Sequence, residues 1–257
     1  GSASRGGFAG AGTWLMRLVV VLLALSLPGC SAGDQTGALV KSVIDDLASQ
    51  RYGRATARYS RDESDILSPA AARAWRRGLD HQDATVREWS VDALARIGDP
   101  EDLPRIVSAL DDPFRRVQET AARGISEMDP VAARMAFTER LMSGGPMQQM
   151  LSAQGLGDLG DPIGVDALLA QVGNSDIEEA VRDVIVQSLA TVADPRAIVP
   201  LATIAANTAN GVQLRRNAAD ALSTFEQEAA TLALLALLDS GDSYVEEVAR
   251  RAIAVRR

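Results

Sequence analysis

Hydrophobic positions in this chain fall into columns when it is aligned on Val86. The first column reads Val86, Val117, Gln148, Val181, Leu214 and Val245, at spacings of 31, 31, 33, 33 and 31 residues. Four residues on stand Ser90, Ala121, Ser152, Ile185, Ala218 and Ala249. Three further on every residue is small: Ala93, Gly124, Gly155, Ser188, Ala221 and Ala252. The next column is always aliphatic: Leu94, Ile125, Leu156, Leu189, Leu222 and Ile253. These offsets describe one face of a helix. The small column lets a neighbouring helix approach, and each aliphatic side chain contributes ~1.5–3 kcal/mol when buried.

A second helix is predicted after each of these. Asp99-Pro100, Asp161-Pro162 and Asp194-Pro195 mark the starts, Asp129-Pro130 comes one residue early, and Ser68-Pro69 opens an earlier copy. Asp or Ser caps free backbone N–H groups, and Pro suits the first helical position, which needs no donor. The second helices carry Trp75, Ile106, Phe137, Leu168, Leu201 and Leu234, then Leu79, Leu110, Leu141, Val172, Ala205 and Leu238, with Ile204 able to serve the weak Ala205 slot. Helix pairs repeating at this period predict an all-α solenoid, a superhelix of helical hairpins.

The phrase around Val86-Arg87 to Asp99-Pro100, and again around Val181-Arg182 to Asp194-Pro195, resembles the HEAT-like repeat of phycobilisome lyases. The resemblance covers residues 67–257, about five repeats and a terminal helix. It implies the fold, whereas scaffolds, adaptors, chaperones and a few enzymes share such repeats. It also implies that the second helices line the concave surface. Their faces away from the core are then read as Arg105, Ser108 and Ala109; Ala136, Glu139 and Arg140; Ala167, Ala170 and Gln171; Pro200, Thr203 and Ile204; Ala233, Ala236 and Leu237. From these, Arg105, Arg140, Ala170, Ile204 and Leu237 are the candidate partner-binding residues. The stretch Thr231–Asp239, apolar nearly all round, is either covered by its own chain or carries a docking groove.

Residues 38–66 hold an amphipathic helix with Leu39, Val40, Val43, Ile44 and Leu47 but no repeat consensus, and are read as an amino-terminal cap. Arg256 takes an aliphatic slot in the last unit, which suits a polar terminal cap.

The stretch from Met16 to Cys30 has another character. One positive charge, Arg17, precedes an apolar run from Leu18 to Leu27 and then small residues. That is the layout of a secretory signal, and the run is about half the ~20 residues a membrane-spanning helix needs. Leu27-Pro28-Gly29-Cys30 resembles the lipobox of bacterial lipoproteins. The resemblance implies cleavage after Gly29 and acylation of Cys30, with several acyl chains at ~0.8 kcal/mol per buried methylene holding the protein on the membrane. Ser31, where Asp would signal inner-membrane retention, points to the outer membrane, facing the periplasm. Residues 1–15 are read as an upstream extension, and 30–37 as the lipidated cysteine and a short flexible tether.

Composition narrows the chemistry. The formal charge is −8, lysine is almost absent and no Lys/Arg run exceeds two residues, so nucleic acid is a poor partner. One cysteine and one histidine, His81, cannot build a Cys/His metal cluster or an internal disulfide. His81 lies between helices and is read as a surface residue. Deoxyhypusine hydroxylases, related by the same resemblance, hold iron through His-Glu pairs that this chain lacks. Gly155–Gly160 fits G-x-G-x-x-G, yet Gly155 stands in the packing column and Gly160 ends a helix, so it is a packing motif, not a dinucleotide site. The glycines and polar Gln148 of 143–160 predict the least stable repeat. Arg87, Arg182 and Arg215 recur at one position and are read as structural ion-pair partners.

The reading is therefore a non-enzymatic, lipid-anchored module that binds a protein partner, with no cofactor and no metal. The alternative is a bilin-lyase-like enzyme, accessory or chaperone, against which export weighs.

Overall fold

The computed structural model describes residues 32–256, which are helical with no strand among them. The described residues divide into two compact units, the first ending at residue 74 and the second beginning at residue 75.

In the first unit, α1 (Ala32–Ala48) and α2 (Tyr52–Arg61) form a hairpin, followed by the short α3 (Glu63–Ile66) and a 3-10 turn at Pro69–Ala71. Val40, Val43 and Leu47 of α1 are buried, as are Ala55, Ile66 and Ala71. The chain reverses at Gln50, which adopts φ 57°. Buried Asp46 accepts from Arg51 at 2.8 Å and from Arg58 at 3.4 Å. Two expectations change here. The amphipathic segment is two helices rather than one, and residues 32–37 form the start of α1 rather than a flexible tether. Asp34 in the first turn, at the positive end of the helix dipole, favours a helix start there.

The second unit continues through α4 (Ala72–Gly78), within which the boundary between the units falls, α5 (Ala84–Ile97), α6 (Leu103–Ser108) and α7 (Arg115–Met128). Then come α8 (Pro130–Ser143), α9 (Pro146–Leu159), α10 (Pro162–Val172) and α11 (Glu179–Val192). It ends with α12 (Ile198–Ala206), α13 (Val212–Ser223), α14 (Glu228–Ala236) and α15 (Ser243–Val255). The odd-numbered helices from α5 to α15 are the first helices of successive hairpins and pack along one layer. The even-numbered ones are the second helices; α6, α8, α10 and α14 each pack on their own first helix and on that of the next hairpin, and α12 packs mainly on α13. This is an α-solenoid.

The predicted columns are its core. Val86, Val117, Val181, Leu214 and Val245 are buried, and so are Leu94, Ile125, Leu156, Leu189, Leu222 and Ile253. The small column works as close packing requires: a Cβ on Gly124 would stand 2.7 Å from the Ala95 Cβ, and one on Gly155 2.5 Å from the Phe137 ring. Gly160 turns into the left-handed region at φ 62°, closing α9 by its C-cap. Ala193 does the same for α11 at φ 55°.

Each aspartate of the Asp-Pro signals caps its helix. Asp99 accepts from the Glu101 amide at 3.0 Å and Asp194 from the Arg196 amide at 2.9 Å. Asp129 and Asp161 each take two amides, at 3.0 and 3.1 Å and at 2.9 and 2.8 Å. Ser68 does not; its hydroxyl donates back to the Asp65 carbonyl at 2.6 Å.

The recurrent arginine position ties hairpins together. Arg87 donates to Asp112 at 2.7 and 2.9 Å, Arg182 to Asn210 at 3.1 Å, and Arg215 to Asp242 at 3.2 Å. The same position also holds the preceding loop: Arg87 bonds the His81 and Gln82 carbonyls, Gln118 that of Asp112, Gln149 that of Leu141, and Arg182 that of Val172. Arg256 closes the last described turn by donating to the carbonyls of Ser223 and Phe225 and to the Thr231 hydroxyl.

Packing runs against the weak repeat expected at 143–160. Residues Gln149, Leu151, Ser152, Ala153, Gly155, Leu156 and Gly157 of α9 are all buried, and α8 packs closely on α9, the first helix of the next hairpin. The glycines there bring helices together instead of loosening them. Polar Gln148 faces partly outward and accepts from the Gly145 amide at 2.8 Å.

Candidate functional site

A cleft of about 320 Å³ opens between the end of α4, α5, α6 and the start of α7. Its walls are ionic. Asp102, wholly buried, accepts from Arg76 at 2.5 and 3.1 Å. Arg76 also donates to Asp99 at 2.8 Å, so the cap of the 3-10 turn at Pro100–Asp102 is held from both sides. Across the cleft stands the Arg87–Asp112 pair, with the Arg87 guanidinium 5.3 Å from the Phe114 ring centre. Asp111 accepts from Arg140 at 3.0 and 2.7 Å and from Gln148 at 2.7 Å. Leu79, Val91, Ala109 and Val117 supply apolar lining.

The electrostatics keep these groups charged. The bond to Asp102 raises the pKa of Arg76, and the bond to Asp112 raises that of Arg87. Burial pushes the Asp112 carboxyl up, but Arg87 and the Phe114 amide outweigh it and leave it below the usual carboxylate value. Two lining groups lie outside these pairings. Arg105 is exposed, with one donation to the Glu101 carbonyl at 3.3 Å and Asp102 3.5 Å away. Asp80 is exposed.

The cleft is suited to binding. Its one hydroxyl, on Ser108, donates to the Pro104 carbonyl at 2.9 Å. Among the described residues no group of three or more His, Cys, Asp or Glu could hold a metal ion. His81 accepts the Asp83 amide on Nδ1 at 3.0 Å and serves its loop.

The five candidate partner-binding residues separate. Arg105 lines the cleft, and Arg140 reaches it through Asp111. Ala170 is exposed on α10. Ile204 and Leu237 are 3% and 2% exposed and belong to the core. The expected face was therefore turned by about one residue, or ~100° of helix. Most second helices pack on two first helices, so the buried arc includes the residue before and the residue three after the central one. That arc takes in Ala136, Ala167, Ile204 and Leu237.

The solvent face lies two residues either side of the centre. It carries Met135, Val199 and Leu232, which are 67%, 71% and 61% exposed, all two residues before the buried Phe137, Leu201 and Leu234. Val131, Met142, Ile163 and Leu235 are exposed on the same helices. This ridge escaped the sequence reading, although its register was legible as the positions opposite the buried column. The lipobox residues Gly29 and Cys30 lie outside the described residues, and no described helix is long and apolar enough to cross a membrane.

Residues 53–126 and, overlapping them, 72–146 match the model for HEAT repeats, and residues 214–240 match that for the PBS lyase HEAT-like repeat. The matched segments, 53–146 and 214–240, are thus similar to HEAT repeats. The cleft lies within the matched HEAT segments, and the α14 end of the ridge within the lyase-type one. No curated protein matches the chain. Among solved structures, human deoxyhypusine hydroxylase in complex with glycerol is 19% identical, with 74% of this chain and 75% of that one covered and a TM-score of 0.44. The complex of CpcE and CpcF of phycocyanin lyase from Nostoc sp. PCC7120 is 16% identical, covering 90% and 97%, with a TM-score of 0.41. Neither likeness bears on what these repeats bind.

Proposed function

We propose that this chain is a lipid-anchored, non-enzymatic scaffold of the bacterial cell envelope that holds a protein partner along the second helices of its HEAT repeats. The observation that carries the reading is the ridge of Met135, Val199 and Leu232, three large apolar side chains held in solvent at one register. The fourth helix of the series, α10, carries the exposed Asp166 at this register, so the face is apolar on three of four successive second helices, and large apolar side chains held in water in this way mark interaction sites. The anchor rests on Leu27-Pro28-Gly29-Cys30 behind a charged and then apolar segment. Cys30 acylation would hold the partner surface near the lipid, on the periplasmic side of the outer membrane.

Crosslinking in the native envelope, followed by identification of captured proteins, tests both halves. Met135→Asp with Val199→Asp is expected to abolish capture while leaving the fold intact, because both side chains already face water. Cys30→Ser is expected to release the protein from the membrane and remove the acyl mass. Equal capture by the double variant would refute the ridge. A second reading, an accessory of bilin attachment, is favoured by the lyase-type repeat at 214–240. Transfer of bilin to an apo-phycobiliprotein by the purified chain would establish it instead.

A further inference from the structure

We propose that the cleft between α4, α5 and α6 takes a short peptide segment of the partner that bears an acidic, an aliphatic and a basic side chain. The proposal rests on the protein-partner reading and names the chemistry the partner must present. Three arginines and three aspartates line the cleft, and most of them answer one another. Asp112 is engaged by Arg87, Asp111 by Arg140 and Gln148, and Arg76 by Asp102 and Asp99. Arg105 spends only Nη1, on the Glu101 carbonyl and on Asp102 at 3.5 Å, and Asp80 is exposed; the two are opposite in sign, on one cleft, and form no ion pair with each other among the described residues.

Each of these two groups selects a different end of a ligand. Arg105 keeps Nε and Nη2 free of the Glu101 carbonyl, which takes Nη1, and so presents a fork of donors suited to a carboxylate. Asp80 offers acceptors to an ammonium or guanidinium. Leu79 and Ala109, both partly exposed, lie on the same lining and suit an aliphatic side chain, while Val91 and Val117 back it from the core. A phosphate-rich ligand would meet three aspartates, and a purely apolar one would strip water from both charges without return. At about 320 Å³ the cleft is near the lower end of sites that enclose a ligand, and so fits a few residues rather than a folded surface.

The test uses the full chain with Cys30→Ser in detergent and three labelled, end-capped peptides carrying Glu-Leu-Lys, Glu-Leu-Glu or Lys-Leu-Lys, read by fluorescence polarisation. The native cleft should prefer Glu-Leu-Lys over either of the others by about fivefold, the scale of one partly exposed ion pair. Arg105→Glu should transfer the preference to Lys-Leu-Lys, and Asp80→Lys to Glu-Leu-Glu. Both side chains are exposed, so both variants should keep the native melting profile; Arg105→Gln and Asp80→Asn stand in if one does not. Preferences that ignore the substitutions, or no discrimination by the native chain, would overturn the proposal. Crosslinking separates it from the broader reading. Capture of a partner without peptide discrimination removes the cleft alone, whereas discrimination without any envelope partner removes the scaffold function.

Discussion

Replacing Gly155 by alanine isolates the close packing on which the solenoid depends. In a helix interior alanine is favoured over glycine by about 1 kcal/mol, so an unobstructed site would gain stability. Here the new methyl would stand 2.5 Å from Phe137 Cε2 and 2.8 Å from Cδ2 and Cζ. Carbon atoms rest at ~3.5–4.0 Å, so the ring must retreat by about 1 Å. Phe137 is 1% exposed and has no free space to enter. Overpacking of this kind costs about 1–3 kcal/mol, and the upper part of that range, less the helix gain, leaves a net loss of about 1–2 kcal/mol. A domain of this size loses ~2–4 °C per kcal/mol, so calorimetry should record a fall of about 2–8 °C. In a Phe137→Leu background the same substitution should be neutral or stabilising, because only the helix preference remains. A Gly155→Ala protein as stable as the parent, or an identical loss in both backgrounds, would refute the packing argument.

Two further outcomes follow from the ionic ladder. Asp112→Ala takes the carboxylate from Arg87, whose side chain is 12% exposed but keeps the His81 and Gln82 carbonyls, so in a urea titration it should cost about 1–3 kcal/mol; Arg115→Ala, whose pair with Glu119 is exposed, should cost less than about 1 kcal/mol in the same titration. Acid should weaken the fold. Asp112, Asp161, Asp194 and Asp242 all hold folded-state pKa values below the ordinary carboxylate value. Their stabilisation is complete above that unfolded value, about 3.9, and drains away as pH falls through it and on through the lower folded values. Urea midpoints measured from pH 7 down to 3 should be level at first and then drop steeply below about pH 4.5; a midpoint that rises on acidification would contradict the assignment.

Local rules carried the sequence reading far. The aspartates of Asp-Pro capped their helices because capping needs only residues two or three apart, and the small column predicted contacts such as Gly155 on Phe137. Errors arose where a second neighbour changed the angle. The periodicity of one helix fixes the centre of its buried stripe but not its width, so it leaves Ile204 and the stretch holding Leu237 open between core and partner face and does not single out Met135 and Val199. Residues 32–37 read as a tether because glycine and polar residues favour turns, yet α1 extends through them. The cleft itself was out of reach. It depends on pairings such as Arg76 with Asp102, 26 residues apart, and the identity of the charges with capacity to spare emerges only after every pairing is known.

The hairpin-to-hairpin bonds of Arg87, Arg182 and Arg215 span 25 to 28 residues and so reach only the adjoining hairpin. Under tension applied at the ends, the described residues offer no long-range clasp that must rupture first. They should pay out one hairpin after another, at modest and similar forces, and rewind when the load is released. If anchored and bound as proposed, the chain would act as a spring between the membrane and its partner.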